Sequence, residues 1–235
     1  MKGGFPVVLS DKPGPTSMPG LEAISRRYDE RAKAHGRSFR ASDYRFHASF
    51  RQRQKAVLAR LQGVTRWRIL DVGSGPGLLT EPLARENFLV GLDLSLNMLG
   101  LARGVLKPVG GEGERLPFQN GSFDIVLAIE TLQHIERPET FLKEITRVTQ
   151  PKGRILLSAL NRDSWLHRIW GRFGFEKSYF LHPLEKILFL MGKKGWTPEE
   201  TRFLGFPLPL TWRDGLKNHG LSFLASSWLV EFKHE

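Results

Sequence analysis

The chain has 235 residues, 40% of them hydrophobic, and carries a formal net charge of +11. It contains no cysteine, which excludes disulfides, thiolate metal sites and a cysteine nucleophile. No apolar run approaches the roughly 18 residues of a membrane-spanning helix, so we expect a cytoplasmic protein built on one α/β domain with an appendage.

The opening of the chain is basic and lacks the pattern of a signal peptide. Residues 1–20 hold one apolar patch followed by prolines among small residues, which predicts a flexible leader. We interpret residues 21–64 as a basic helical arm or lid, because between positions 26 and 68 the only acidic residues are Asp29, Glu30 and Asp43. Such an arm attracts an anionic substrate, RNA or an acidic membrane surface, or it is simply the solvated face of helices. Charge alone leaves these alternatives open.

Strands and helices alternate after the arm. Hydrophobic periodicity predicts strands at 67–72, 88–93, 106–110, 123–129 and 153–159. Helices are expected between them at 77–86, 95–104 and 137–148. This alternation is typical of a largely parallel sheet with helices on both faces. Further along, the pattern predicts a helix at 183–194, a strand near 201–204, a short helix at 212–218 and a last strand at 222–232.

One stretch carries the clearest chemical signal. Residues 69–77, Ile-Leu-Asp-Val-Gly-Ser-Gly-Pro-Gly, form an apolar strand that ends in alternate glycines before a helix. Glycines let a backbone approach a ligand closely, and the following helix offers unpaired N–H groups. We therefore predict a nucleotide-cofactor turn. The spacing differs from the dinucleotide fingerprint, which needs a glycine where Leu78 stands.

Two acidic residues and several further segments narrow the choice of cofactor. Asp71 lies just before the glycines, and Asp93 ends the second strand, where a carboxylate accepts from ribose hydroxyls. The pattern resembles the class I S-adenosylmethionine-dependent methyltransferases, specifically the small-molecule branch that includes the ubiquinone and menaquinone C-methylases. The resemblance extends over roughly residues 66–160 and includes segments at 112–118, 121–126, 132–135, 141–145 and 151–157.

The resemblance implies a Rossmann-like, doubly wound seven-stranded α/β sheet, mostly parallel with an antiparallel last strand and with helices on both faces. It assigns residues 65–235 to one methyltransferase domain and residues 161–183 to an inserted, aromatic-rich substrate lid. The implied cofactor is S-adenosyl-L-methionine, and the implied product is S-adenosyl-L-homocysteine. No cluster of His, Asp and Glu has metal-ligand spacing, so we expect no metal.

The resemblance also assigns roles around the cofactor. Gly73, Gly75 and Gly77 let the backbone approach its amino acid part, and Asp71 positions its ammonium group. Asp93 takes the ribose hydroxyls. The remaining predicted cofactor contacts are Leu94 and Met98 beside the adenine, Glu112, Gly113 and Glu114 at the adenine edge, and Ser74, Glu130 and Tyr28.

His134 is the candidate general base or substrate-orienting group, since the resemblance places its turn beside the transferable methyl group. The alternative is a histidine that caps a helix. Trp165, His167 and Tyr179 are the candidate substrate contacts in the lid. The mixture of aromatic and basic residues there suits a flat apolar acceptor, RNA stacking, an interfacial helix at a membrane, or ordinary packing.

Three functions follow from these predictions. The first is methyl transfer to oxygen, nitrogen or carbon of a small aromatic or lipid-like acceptor. The second is RNA methylation with the basic arm as the phosphate contact surface, although no Asn-Pro-Pro-Tyr-type motif and no RNA-binding module is present. The third is a catalytically idle domain that binds the cofactor and serves an assembly. The sequence leaves the oligomeric state open.

Overall fold

The computed structural model describes residues 20–42, 44, 47–165, 179–205 and 223–234; the predicted leader, apart from residue 20, and the predicted helix at 212–218 lie outside them. The helices are α1 (Leu21–His35), α2 (His47–Arg60), α3 (Leu96–Leu101), α4 (Pro138–Val148) and α5 (Leu184–Gly192). The strands are β1 (Arg68–Val72), β2 (Phe88–Asp93), β3 (Lys107–Gly110), β4 (Phe123–Ile129), β5 (Thr149–Leu160), β6 (Trp196–Leu204) and β7 (Ser227–His234). Short 3₁₀ helices cover Glu81–Arg85 and Leu132–His134.

The strands form one seven-stranded sheet in the order β3-β2-β1-β4-β5-β7-β6. β1 pairs in parallel with β2 and β4, whereas β7 runs antiparallel between β5 and β6. The predicted fold class is therefore confirmed, including the antiparallel last strand. Leu70 of β1 lies in register with Val90 on one side and Val126 on the other. β1, β2 and β4 thus end at one edge of the sheet, which is where ligands of open α/β sheets bind.

Both faces of the sheet are covered, which explains why apolar residues occupy consecutive as well as alternate positions of its central strands. On one face, Leu70 belongs to a buried cluster with Phe141 of α4 and Ile187 of α5. On the other face, Ile69 belongs to a second cluster with Val57 of α2. Neighbouring residues of a strand point to opposite faces, so β1 contributes to both clusters. α2 is consequently part of the core that supports the first strand.

The helix predicted at 77–86 was wrong in extent, because only a 3₁₀ helix forms at Glu81–Arg85. Gly77 has a φ of +71°, which a right-handed helix does not accommodate. Pro82 lacks the N–H group that would continue the helical hydrogen bonds. Asn87 then closes the segment, since its Nδ2 donates to the carbonyl of Leu83 at 3.0 Å.

The strands beyond α4 also differ from their predicted bounds. β5 begins at Thr149 rather than 153, and β6 begins at Trp196 rather than 201. β7 covers Ser227–His234 rather than 222–232. Pairing explains both extensions: Thr149 lies in register with Phe123, and Trp196 with His234. These partners are distant in sequence, so a local pattern does not reveal them.

Ion pairs with the domain attach part of the basic arm. Arg60 of α2 pairs with Glu231 of β7 at 3.2 Å, and Arg154 of β5 pairs with the same carboxylate at 2.7 Å. Arg37, between the two arm helices, pairs with Glu81 at 3.0 Å. Several cations of the arm therefore have anionic partners within the chain.

Candidate functional site

A cavity of about 1400 Å³, including its open mouth, lies at the carboxyl ends of β1, β2 and β4. Almost all of the predicted cofactor residues, together with His134, line it. They are Tyr28, Asp71, Gly73, Ser74, Gly75, Asp93, Leu94, Met98, Glu112, Gly113, Glu114 and Glu130. The sequence signals from separate segments therefore converge on one volume.

The glycine loop needs glycine for more than one reason. The φ values of Gly73, Gly75 and Gly77 are +74°, +52° and +71°, which residues with a Cβ rarely adopt. A Cβ on Gly73 would lie 2.5 Å from Oγ1 of Thr131, so this residue leaves no room for a larger one. Gly77 does not line the cavity; a Cβ there would meet Leu106 at 3.0 Å. Gly77 thus serves packing behind the loop, while Gly73 and Gly75 face the ligand side.

Asp93 connects the glycine loop to the start of α3. Its Oδ2 accepts from the backbone N–H of Gly75 at 2.8 Å, and its Oδ1 accepts from the N–H of Ser95 at 2.9 Å. Burial raises the pKa of this carboxyl, and the backbone donors oppose that effect. An ionised carboxylate offers about four acceptor positions, so Asp93 keeps capacity for a ribose hydroxyl.

Asp71 lies deeper, with 4% of its surface exposed. The hydroxyl of Thr80 donates to its Oδ2 at 2.7 Å. Burial raises the pKa of Asp71 to about 7, the hydrogen bond from Thr80 lowers it, and the nearby charge of Asp93 raises it further. Asp71 therefore titrates near neutral pH.

The other end of the cavity has the features expected for an adenine. Glu112 is 8% exposed, and burial raises the pKa of its carboxyl. A Cβ on Gly113 would lie 2.7 Å from Phe141, so the backbone here is held tightly against α4. Glu114 is fixed by the guanidinium of Arg137 at 3.0 Å. Buried Met98 supplies an apolar wall.

Helix α1 covers one side of the cavity. Its residues Leu21, Ile24 and Tyr28 are part of the lining. Asp29 fastens the helix to α3, because its Oδ1 accepts from the hydroxyl of Ser95 and from the N–H of Asn97, the latter at 3.3 Å. The helix is thereby placed over the side of the cavity that Asp93, Ser95 and Met98 line.

His134 joins three segments of the chain. Its Nε2 lies 2.9 Å from the hydroxyl of Tyr28, and the two rings meet edge to face. The ring of Tyr179 lies 5.4 Å from the imidazole on another side. Arg27 donates to the hydroxyl of Tyr179 at 3.0 Å. This contact with Tyr28 favours a role for His134 at the cavity over a role in capping the helix.

The predicted acceptor contacts are placed differently from one another. Trp165 is 38% exposed and is not part of the cavity lining. His167 lies outside the described residues. Tyr179 adjoins His134, and its neighbour Phe180 lines the mouth of the cavity. The roles of all three as substrate contacts stay predictions.

Sequence reasoning missed several residues of the site, above all Arg53. It is 5% exposed and pairs with Glu130 at 3.0 Å. Tyr44 and Phe50, from the same arm, line the cavity. Arg53 stands among many exposed cations in the sequence, and no local signal distinguishes a buried arginine from its neighbours.

The acidic lining of the cavity fits a cationic nucleoside. Apart from His134, the titratable side chains that line the cavity within the described residues are acidic or phenolic: Tyr28, Tyr44, Asp71, Asp93, Glu112, Glu114, Glu130 and Glu136. Gly73 and Gly75 present bare backbone to the cavity, which suits a ligand held by main-chain groups. No group of His, Asp and Glu residues suited to a metal ion occurs in the described part of the chain.

Comparison with known proteins identifies related methyltransferases. The methyltransferase domain family matches residues 70–157. The ubiquinone biosynthesis O-methyltransferase of Cronobacter sakazakii is 32% identical over 168 residues, which are 63% of this chain and 68% of the relative. The demethylmenaquinone methyltransferase of Streptomyces griseus is 33% identical over 116 residues, 48% of this chain and 50% of the relative. The chain spans about half the length of several curated relatives that it matches.

Similarity to solved structures concerns the fold. The crystal structure of an S-adenosylmethionine-dependent methyltransferase from Thermotoga maritima has a TM-score of 0.69 and 21% identity. The match covers 90% of this chain and 100% of that one. At this level of identity the two proteins share an architecture, and residue roles have to come from the site itself.

Proposed function

This chain belongs to the class I S-adenosylmethionine-dependent methyltransferases, and from that premise we propose that it methylates a small aromatic or lipid-like acceptor at the mouth of the cavity. One observation carries the proposal. The glycine cradle, the carboxylate of Asp93 and the His134–Tyr28 pair line a single cavity, so a cofactor and an acceptor are accommodated side by side.

The cofactor side is held by backbone and carboxylates. The backbone of Gly73 and Gly75 contacts the amino acid part, Asp93 accepts from the ribose, and Glu112 with the backbone of Gly113 contacts the adenine. When bound, S-adenosylmethionine supplies an electrophilic methyl group on a sulfonium. Helix α1 excludes water from this side through Leu21 and its neighbours, and alignment in a dry site supplies much of the rate of such a displacement.

On the acceptor side we propose an oxygen nucleophile on a flat ring. The rings of Tyr28 and Tyr179 flank His134 at 5.4 Å each, and Phe180 adds an apolar surface at the mouth. The imidazole of His134 takes the proton that a phenolic hydroxyl loses on methylation. The ubiquinone biosynthesis O-methyltransferase of Cronobacter sakazakii, one of the relatives, is named for the same type of transfer.

RNA methylation has less support as an alternative. Arg53 and Arg60, two cations of the basic arm, are committed to carboxylates of the domain. The relatives described above are named for quinone-related small molecules.

Within the described residues no helix has the length and apolar character to cross a bilayer. We propose the cytoplasm as the compartment.

The test begins with calorimetry of the purified chain with S-adenosylmethionine and S-adenosylhomocysteine. A panel of catechols and hydroquinones, with and without short prenyl tails, is then assayed for release of S-adenosylhomocysteine beside a short RNA. We expect binding of both nucleosides and turnover with a phenolic acceptor. Binding without turnover on any acceptor would favour the idle domain. Absence of binding would remove the methyltransferase function of this chain.

A further inference from the structure

Arg53 of α2 is a buried cation whose three guanidinium nitrogens all have acceptors. Nε donates to Oε1 of Glu130 at 3.0 Å, Nη2 to the hydroxyl of Ser227 at 2.8 Å and Nη1 to the carbonyl of Ser49 at 3.3 Å. A buried arginine persists only when it is paired in this way. These contacts join the arm to Glu130, directly after β4, and to Ser227, the first residue of β7. Arg53 therefore lies at the edge of the sheet where the cavity is found.

Glu130, the partner of Arg53, has a strained backbone. Its φ is +57°, a left-handed conformation that is unfavourable for a residue with a Cβ. The conformation is held from two sides: its N–H donates to the carbonyl of Ser158 at 3.0 Å, and the hydroxyl of Ser158 donates to Oε1 at 2.7 Å. Strain that the surroundings maintain at a cavity is a sign of function rather than of folding.

The strained turn lies directly against the glycine loop. Thr131, the next residue, donates to the carbonyl of Val72 at 2.8 Å and occupies the place of a Cβ on Gly73. Glu130, Asp71 and Gly73 all line the cavity. The amino acid part of the cofactor is expected beside this loop, so Glu130 is adjacent to the ammonium group of that part.

One oxygen of Glu130 remains for a ligand. Both protein side-chain donors, Arg53 and the Ser158 hydroxyl, contact Oε1. Among the described residues, no donor contacts Oε2. The competing carboxyl, Asp71, is only 4% exposed, already accepts from Thr80, and has a pKa raised by burial to about 7. Glu130, which Arg53 holds in place and whose side chain is 13% exposed, is therefore the more accessible acceptor for an ammonium group.

We propose that Glu130 receives the ammonium group of the cofactor's amino acid part, and that Arg53 is the positioning residue that holds Glu130 in place. The inference rests on the proposed function only for the identity of the cofactor and needs no particular acceptor. It assigns the basic arm a part in cofactor binding, through one buried cation.

Two ligands separate this role from a merely structural one. S-Adenosylhomocysteine carries the amino acid part, whereas 5′-methylthioadenosine has the same adenosine without it. We expect Glu130→Gln to lower the affinity for S-adenosylhomocysteine about tenfold, as measured by calorimetry. The affinity for 5′-methylthioadenosine should change by less than about twofold. Arg53→Lys, which keeps the charge but loses the planar fork, should show the same selectivity with a smaller loss of about threefold.

Asp93→Asn is the matched control, because the ribose is common to both ligands and both should weaken together. Retained binding of 5′-methylthioadenosine also shows that each variant is folded around the site. Equal weakening of both ligands by Glu130→Gln, or no change in either, would overturn the proposal while leaving the methyltransferase function standing. If the wild-type chain binds neither ligand, the proposed function fails, and this inference fails with it.

Discussion

Position 73 has to be glycine for the glycine loop to form. Its φ of +74° calls for glycine, and the side chain of Thr131 fills the space where a Cβ would stand. Asp93 is bound into the same arrangement through the N–H of Gly75. A change in the loop therefore alters the carboxylate that is expected to hold the ribose, as well as the cradle itself.

Gly73→Ala should lower the free energy of unfolding by about 2 kcal/mol or more, since it adds backbone strain and a collision with Thr131. It should also lower the affinity for S-adenosylhomocysteine at least tenfold, because the loop has to move. Gly100→Ala is the control: Gly100 lies in α3 with nothing within 4 Å of its Cβ position. Alanine there should add about 0.5 to 1 kcal/mol of stability. Urea unfolding and calorimetry measure both effects, and tolerance of Gly73→Ala would contradict the assignment.

Asp71 makes stability depend on pH. Burial raises its pKa from 3.8 to about 7, so the native state keeps a proton that the unfolded state releases above pH 4. The unfolding free energy should consequently fall as the pH rises from about 4 to about 7, by on the order of 3 kcal/mol from this group. Asp71→Asn should remove that part of the slope. Urea unfolding of both proteins at several pH values measures it, and identical slopes would show that Asp71 ionises normally.

Tyr28→Phe tests the pairing with His134. Loss of one hydrogen bond to the imidazole should lower kcat with a phenolic acceptor about fivefold to tenfold. The affinity for S-adenosylhomocysteine should stay within about twofold. The opposite result, weaker cofactor binding with unchanged kcat, would instead make Tyr28 the cofactor contact that the sequence predicts.

The two arm helices are elements of different kinds. α2 shares a buried cluster with β1 through Val57 and is tied to the domain by Arg53 and Arg60. α1 lies across α3 and the cavity, fastened by the contacts of Asp29 and Tyr28. We therefore expect α2 to unfold only with the domain, and α1 to open separately when ligands enter.

Asp29→Ala should loosen α1 from α3, since two donors at the start of α3 lose their acceptor. The dissociation rate of S-adenosylhomocysteine should rise about fivefold, and amide exchange in α1 should accelerate while that in β4 does not. Glu30→Ala, an exposed acid on the same helix, is the control for the loss of charge. If both variants release the ligand at the wild-type rate, α1 is not the cover of the site.

At the scale of the whole molecule, charge is unevenly distributed. The chain has a net charge of +11, yet the charged residues that line the cavity within the described ranges are acidic. A cationic cofactor is attracted to the cavity by this local field, whereas the basic surface outside it attracts anions. Arg37, Arg53 and Arg60 reduce that outer charge through their internal pairs.

Binding to RNA should accordingly be weak and steeply dependent on salt. We expect a dissociation constant above about 10 µM for hairpin or single-stranded RNA at physiological ionic strength, with tighter binding only at low salt. Fluorescence anisotropy across a salt series measures this. Submicromolar binding that persists at physiological salt would revive the RNA methyltransferase alternative.

The sequence by itself determined the sheet class and the cofactor edge. Those signals are local: glycines that need a left-handed φ, and acids where strands end. Parallel strands finish at the same edge, so local signals from β1 and β2 were enough to bring Asp71 and Asp93 together. The helix at 77–86 failed for a local reason too, since Gly77 and Pro82 break a pattern that hydrophobic spacing alone suggests.

Only the tertiary structure decided which partners complete the site. Arg53 meets Glu130 across 77 positions and Ser227 across 174, and Tyr28 meets His134 across 106. Such contacts depend on how α1 and α2 lie on the finished sheet, which no local spacing encodes. The physical reason is that a buried charge is stabilised by partners that only the folded chain brings close. The conformation of a glycine turn, in contrast, depends on its own backbone.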